Sequence, residues 1–247
     1  MRELCWGPDG MMDQLKPKHQ GLHDIFDMHR RSHWDINDPH KMFERFNESE
    51  EAIEEEITRG VKFLEFVNRP DCKTFVINSN HDRALERWLK VADYRRDPVN
   101  ALFFLEAQLA WYQAIKAGEQ KLFHLLAWTM KTRGAPKDVV FLRQDESYEI
   151  CAGSGQTRSG IDCGYHGDMG PGGSRGSPAL LAKMGQKMVV GHTHSAGIFD
   201  GTYSVGILSN LDQEYNHDPS SWSHTSCVVY PNGKRCLVTV RGNRWRA

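Results

Sequence analysis

The chain is poor in the features that would assign it quickly. None of its six cysteines, at positions 5, 72, 151, 163, 227 and 236, forms a Cys-x-x-Cys pair. Their scatter argues against a zinc knuckle or a disulfide frame and for buried free thiols. No apolar run approaches the ~20 residues of a membrane span, and the opening Met1-Arg2-Glu3-Leu4-Cys5-Trp6 lacks the apolar core of a signal peptide. Charge of one sign is missing too: 31 Lys and Arg face 32 Asp and Glu, a net charge of −1. The molecule as a whole therefore has no electrostatic pull on nucleic acid, and contact with a phosphate backbone must come from local patches.

What is present reads as a soluble, globular, cytoplasmic protein, with 39% hydrophobic and 26% charged residues. At 247 residues, one domain that buries its core without disulfides is the expectation. Apolar positions Met42, Phe43, Phe46, Ile53, Ile57, Val61, Leu64 and Val67 recur by threes and fours, an amphipathic helix with a break near Asn47. The acidic run over 48–56 reads as its solvated face, and Arg69-Pro70-Asp71 as its stop. Residues 73–78 form a buried strand that ends in Ser79-Asn80-His81-Asp82, with a helix carrying Leu85, Trp88 and Leu89 directly after. A helical insertion covers about 97–133. Short strands are expected over 139–142, 147–151, 162–166, 188–190, 203–207 and 226–230, the last joined by the turn Pro231-Asn232-Gly233-Lys234 to Cys236-Leu237-Val238. The expected architecture is one compact α/β domain over 1–247, helices mostly early and strands mostly late.

Chemistry concentrates where these strands run out into loops. Asn80-His81-Asp82 follows one strand, Gly191-His192-Thr193-His194 another, and Tyr165-His166-Gly167-Asp168 lies between them. Asn and His side chains are neutral donors for divalent transition metals. In an extended Gly-His-x-His segment both imidazoles fall on the same side, as ligands of neighbouring metals would. Each element alone is weak, because such triplets also build turns and helix caps. Together, in order and at strand ends, they point to a metal centre.

As an ordered set these motifs resemble the calcineurin-like metallophosphoesterases, phage-encoded members in particular. Asn80-His81-Asp82 is similar to the family's third motif, His166 to the fourth, and Gly191-His192-Thr193-His194 to the fifth. The segment from His166 through the Gly-rich loop Gly170-Pro171-Gly172-Gly173-Ser174-Arg175-Gly176 strengthens the likeness, which covers roughly 16–242. His23-Asp24-Ile25-Phe26-Asp27 matches the second motif, Gly-Asp-x-x-Asp, with His in place of Gly. Asp27-Met28-His29 competes for the first motif, Asp-x-His, but no second motif would then follow it at a strand end. No Asp-x-His occurs upstream, so an absent N-terminal strand is expected, unless Asp27 and His29 supply its ligands.

The resemblance implies a layered metallophosphoesterase-like β-sandwich flanked by helices. It further implies phosphodiester hydrolysis by a water activated between two divalent ions, manganese above all and iron or zinc otherwise. Asp24 would bridge the metals, with Asn80, His166, His192 and His194 as the other ligands. His81 would donate a proton to the leaving oxygen, with Asp82 orienting its ring. The implied substrate is DNA, in the host cytoplasm if the chain is phage-encoded, with no membrane partner and homo-oligomerisation open. Arg175 can clamp a phosphate or end a solvated turn. Arg30, Arg31 and His33 can face substrate or form a salt-bridged surface. The aromatics of the insertion can stack on bases or fill a core. The competing class is a catalytically impaired, truncated member serving as a binding or assembly subunit.

Overall fold

The computed structural model describes residues 1–32, 35–144, 146–152, 160–213, 219–242 and 244–245. His33, a candidate for substrate contact, lies outside the described residues. In chain order the elements are α1 (Arg2–Trp6), α2 (Met11–Leu15), β1 (His19–His23), α3 (Pro39–Asn47), α4 (Ile53–Val67), β2 (Lys73–Ile77), α5 (Ala84–Val91), α6 (Ala101–Lys116), α7 (Leu125–Thr132), β3 (Val140–Phe141), β4 (Glu149–Ile150), β5 (Ile161–Asp162), α8 (Pro178–Ala182), β6 (Lys187–Val190), β7 (Gly197–Phe199), β8 (Thr202–Ser204), β9 (Thr225–Val229) and β10 (Arg235–Thr239). The protein is therefore mixed α/β, with several sheets among its helices. Its described part gathers into two compact units: Met1–His23 with Leu142–Ala247, and Asp24–Phe141. The peptide bond between His23 and Asp24 is thus the first crossing from one unit to the other.

The unit Asp24–Phe141 is mostly helical around the parallel pair β2 and β3, in which Phe75 lies opposite Val140. The helix expected over 42–67 is two helices. Asp38 caps α3, its carboxylate accepting from the amides of His40 and Lys41, and Pro39 occupies the first turn. Ser49, with φ 57°, interrupts the path before α4 begins at Ile53. Along α4 the buried stripe is Ile53, Ile57, Val61, Leu64 and Val67, the three-and-four spacing that one helical face requires. Gly60 sits within it because a Cβ there would come within 2.8 Å of the Met130 methyl, so its absence lets α7 close on α4. Phe103 and Phe104 are buried and pack with Trp88, the rings of Trp88 and Phe103 stacked at 6.0 Å. Phe103 and Phe104 thus fill a core, while Trp111, Phe123 and Trp128 of the insertion are half-exposed.

The other unit carries the five-stranded sheet β4-β5-β6-β8-β7 and the hairpin β9-β10. Strands β5, β6 and β8 run parallel, and β4 and β7 are antiparallel at the edges. Parallel neighbours send their C-terminal loops to the same end of the sheet, where α/β proteins place their ligand-binding groups. The loops after β5 and β6 carry His166 and His192. Leu181, Met188 and Val190 form the buried cluster beneath, with Tyr165 against it. The turn 230–234 closes the hairpin as expected: Gly233, at φ 77°, donates its amide to Tyr230 O, and Asn232 Oδ1 accepts from Lys234 N.

Candidate functional site

In the unit Asp24–Phe141, β2 delivers Asn78 to Asp82 into the turn that opens α5. Asp82 is buried, at 2% exposure. Its Oδ2 accepts from the amide of Ser79 at 3.1 Å, and its own amide donates to Ser79 Oγ at 3.0 Å. This reciprocal pair locks the turn. Asp82 is therefore not what orients the His81 ring by a hydrogen bond. That partner is Asp27, whose carboxylate meets His81 Nδ1. The His81 side chain makes no cap on α5, whose N-terminus lacks a side-chain cap altogether. The imidazole instead faces a set of carboxylates. Burial by itself would lower its pKa, but the Asp27 hydrogen bond and the charges of Asp24, Asp27 and Asp82 together raise it to about 9. Burial, followed by the charge of Asp24, holds the Asp82 carboxyl well above the usual range, against the pull of its bonds to Ser79. A cation bound at Asp24 would relieve this concentration of negative charge.

The turn 27–30 that presents Asp27 is held from α4. Glu56 accepts the amides of Asp27 at 3.3 Å and His29 at 3.1 Å through one oxygen, and of Arg30 at 3.3 Å through the other. Burial raises the Glu56 carboxyl, while these three amides pull it back. The acidic run is thus not simply a solvated face. Arg30 is itself 1% exposed and ion-paired with Glu50 at 3.5 Å and Glu55 at 3.2 Å. Arg31 bonds Asp97 through two nitrogens, at 2.7 and 2.8 Å. Both arginines belong to buried ion networks rather than to a substrate-facing surface.

In the other unit three histidines converge. His23, at the end of β1, brings its Nδ1 within 3.2 Å of Nδ1 of His166. The His166 ring, 3% exposed, lies 5.3 Å from that of His192 between centroids, edge to face. Gly191 makes room for this gathering, since a Cβ there would stand 3.1 Å from the His23 ring, and its amide donates to His166 O at 2.8 Å. His192 and His194 are not on an extended segment. Both are left-handed, with φ 65° and 57°, so the alternation argument for their shared direction does not hold. Such backbone costs about 1–3 kcal/mol at a non-glycine residue and gathers at functional sites. Thr193 steadies the loop through its hydroxyl to Ser204 Oγ at 3.0 Å, and Ser223 N donates to His194 O at 3.3 Å. Trp222 packs on His194 edge to face, 4.4 Å between centroids. Asp24, in its own unit, is left-handed as well, with φ 50°.

Beside Glu56, sequence pattern does not disclose His23 or Trp222. His23 looked like a mere replacement for a motif glycine, yet it sits against a candidate ligand. Its signal was its place, at the last residue of a strand and next to Asp24. Trp222 carried no local signal. The Gly-rich loop is closed by a bridge between Met169 and Arg175 and by the Gly176 amide on Asp168 O at 2.7 Å, leaving Arg175 exposed. Gly176 is obligatory there, because a Cβ would fall 2.0 Å from Gly167 O.

The imidazoles of His23, His166 and His192 in one unit, and the carboxylates of Asp24, Asp27 and Asp82 around His81 in the other, are a donor chemistry suited to borderline divalent metals. Among the described residues, no three His, Cys, Asp or Glu side chains already stand as a ready-made metal-binding group.

The chain is 34% identical over 241 residues to a protein of Escherichia phage T5 named "Protein A1", an alignment covering 96% of this chain and 42% of that protein. The chain thus spans about two fifths of the length of the curated relative. No family model matches the sequence. No solved structure matches it either. Among the described residues, no helix is long and apolar enough to cross a membrane.

Proposed function

We propose that this chain is a metal-dependent phosphoesterase of the calcineurin-like class that hydrolyses phosphodiester bonds, with DNA as its substrate. On this reading its sheets are those of a metallophosphoesterase-like β-sandwich, and a phage relative fits action in the cytoplasm of an infected host. The observation that carries the reading is the gathering of His23, His166 and His192, since two of these came from motifs 26 residues apart that the resemblance had already named as ligands. Asp24, Asn80, His166, His192 and His194 would hold two divalent ions, manganese first and iron or zinc otherwise. When bound, such ions polarise the ester and lower the pKa of a water to near neutrality.

The chain's own groups do the rest. His81, whose Nδ1 meets the Asp27 carboxylate, would supply the proton for the leaving oxygen. Arg175, exposed at the end of its closed loop, offers a bidentate donor to a phosphate. Arg30 is left out of substrate contact by its burial. The lack of an Asp-x-His motif in residues 1–22 favours one competing reading, a catalytically impaired subunit for binding or assembly.

Hydrolysis assays with added manganese test the proposal, using single- and double-stranded DNA beside p-nitrophenyl phosphate monoester and diester. Cleavage of DNA and diester, abolished in His192→Ala, is the expected result. Turnover unchanged by that substitution would sink the site assignment, and cleavage of the monoester alone would move the substrate to small phosphates.

A further inference from the structure

Three backbone amides of one turn, those of Asp27, His29 and Arg30, converge on the single carboxylate of Glu56. Successive amides turned to the same side form a concave anion site, and here the anion comes from α4 of the same unit. The turn needs that acceptor. Met28, a bulky residue with no exposure at all, is held at φ 56°, a conformation that side chains of its kind rarely adopt. The Arg31 amide bonds Met28 O at 3.2 Å to continue the turn, and the Arg30 guanidinium fastens its far end to Glu50 and Glu55. What the turn presents outward is the Asp27 carboxylate, half exposed and bonded to His81 Nδ1.

We propose that Glu56 is a positioning residue for the proton donor: by gathering the amides of the turn 27–30 it fixes Asp27, and through Asp27 the ring of His81. Its functional consequence rests on the phosphoesterase reading above; its structural content does not. Neither neighbour can take its place. Glu55 reaches Arg30 from an exposed position, and Glu54 bonds Arg133. Gln at position 56 would keep one acceptor oxygen and set an amide donor against a backbone N–H, so one arm of the cradle would be repelled.

The test compares Glu56→Gln with Glu65→Gln, an exposed change on the same helix, and with Asp27→Asn. Amide hydrogen exchange and the His81 ring Nδ1–H resonance are read by NMR, and diester hydrolysis by kcat and KM. Glu56→Gln should speed exchange at Asp27, His29 and Arg30, shift the His81 ring signal towards that of Asp27→Asn, and lower kcat about tenfold at unchanged KM. Asp27→Asn should change the ring signal while leaving the cradle amides protected, and Glu65→Gln should change neither. If Glu56→Gln frees the amides but leaves the His81 signal in place, Glu56 merely staples the turn and the inference is overturned. Unchanged amides would overturn it as well. Should the native chain hydrolyse no phosphoester, the functional reading fails, while the NMR comparison still decides the role of Glu56.

Discussion

The two units solve the problem of presenting polar groups in opposite ways. In the unit Met1–His23 with Leu142–Ala247, the candidate groups are imidazoles held by backbone: a glycine that admits a ring, left-handed loop residues, and amides that bond the carbonyls of His166 and His194. In the unit Asp24–Phe141 they are carboxylates around one histidine, held by side chains, with Glu56 and Asp82 each binding backbone amides of a turn. Neutral donors can be packed together at little electrostatic cost. Clustered carboxylates repel one another, so their turns need added restraint, and burial with the charge of Asp24 holds the Asp82 carboxyl high. On the proposed reading, the imidazoles would serve as metal ligands and the carboxylates would hold the proton donor.

That contrast can be broken at several points. The largest effect is expected in the carboxylate unit: His81→Ala should lower kcat for the diester by about 10²–10⁴-fold, the usual worth of a positioned general acid. Asp27→Asn should cost about 10–100-fold in kcat with KM unchanged, as an outer partner does. Asp82→Asn should instead lower the melting temperature, because its carboxylate holds a turn and not the His81 ring. If Asp82→Asn reproduced the kinetics of Asp27→Asn at full stability, the division of roles would be wrong.

The arginines sharpen the same division. Arg30→Ala should destabilise the chain by about 2–3 kcal/mol, less than the removal of one partner from a fully buried ion pair, since Glu55 is 61% exposed. Arg175→Ala should leave stability alone and raise KM for DNA several-fold. Thermal unfolding and steady-state kinetics on both variants check this, and a reversal would return Arg30 to the substrate.

The smallest effect belongs to the histidine-bearing unit and to alkaline pH. Burial raises the thiols of Cys163 and Cys227 to about 12. A thiol whose folded pKa lies above its unfolded value contributes stability that is whole below pH ~9 and declines as pH rises towards the folded value, because the unfolded chain releases its proton first. The melting temperature should therefore fall between pH 9 and 10.5, less steeply in a Cys163→Ala, Cys227→Ala chain. Iodoacetamide at pH 8 should label exposed Cys151 first. Early labelling of Cys163 would contradict its burial.

The sequence made the local parts of this picture legible. The strand ending in Asn80-His81-Asp82, the hairpin turn 230–234 and the break before α4 all rest on signals within a few neighbours. Apolar spacing puts the break near Asn47, and α3 does end there. What escaped depends on distance along the chain. His23 meets His166 across 143 positions and Asp27 meets His81 across 54, so no local pattern could pair them. Glu56 was hidden in an acidic run whose charge argued for solvent, because the cradle that binds it is made of amides, which no side-chain pattern reveals. The left-handed backbone of His192 and His194 likewise lay beyond a reading built on strand alternation.

The most direct test of the account is the number of metal ions the chain holds. Native mass spectrometry after reconstitution with manganese, on the unaltered chain and on His192→Ala and Asp24→Asn, would count them. The account predicts two ions per chain, with fewer retained by each variant. A chain that binds one ion or none, or variants that bind as many as the original, would contradict it.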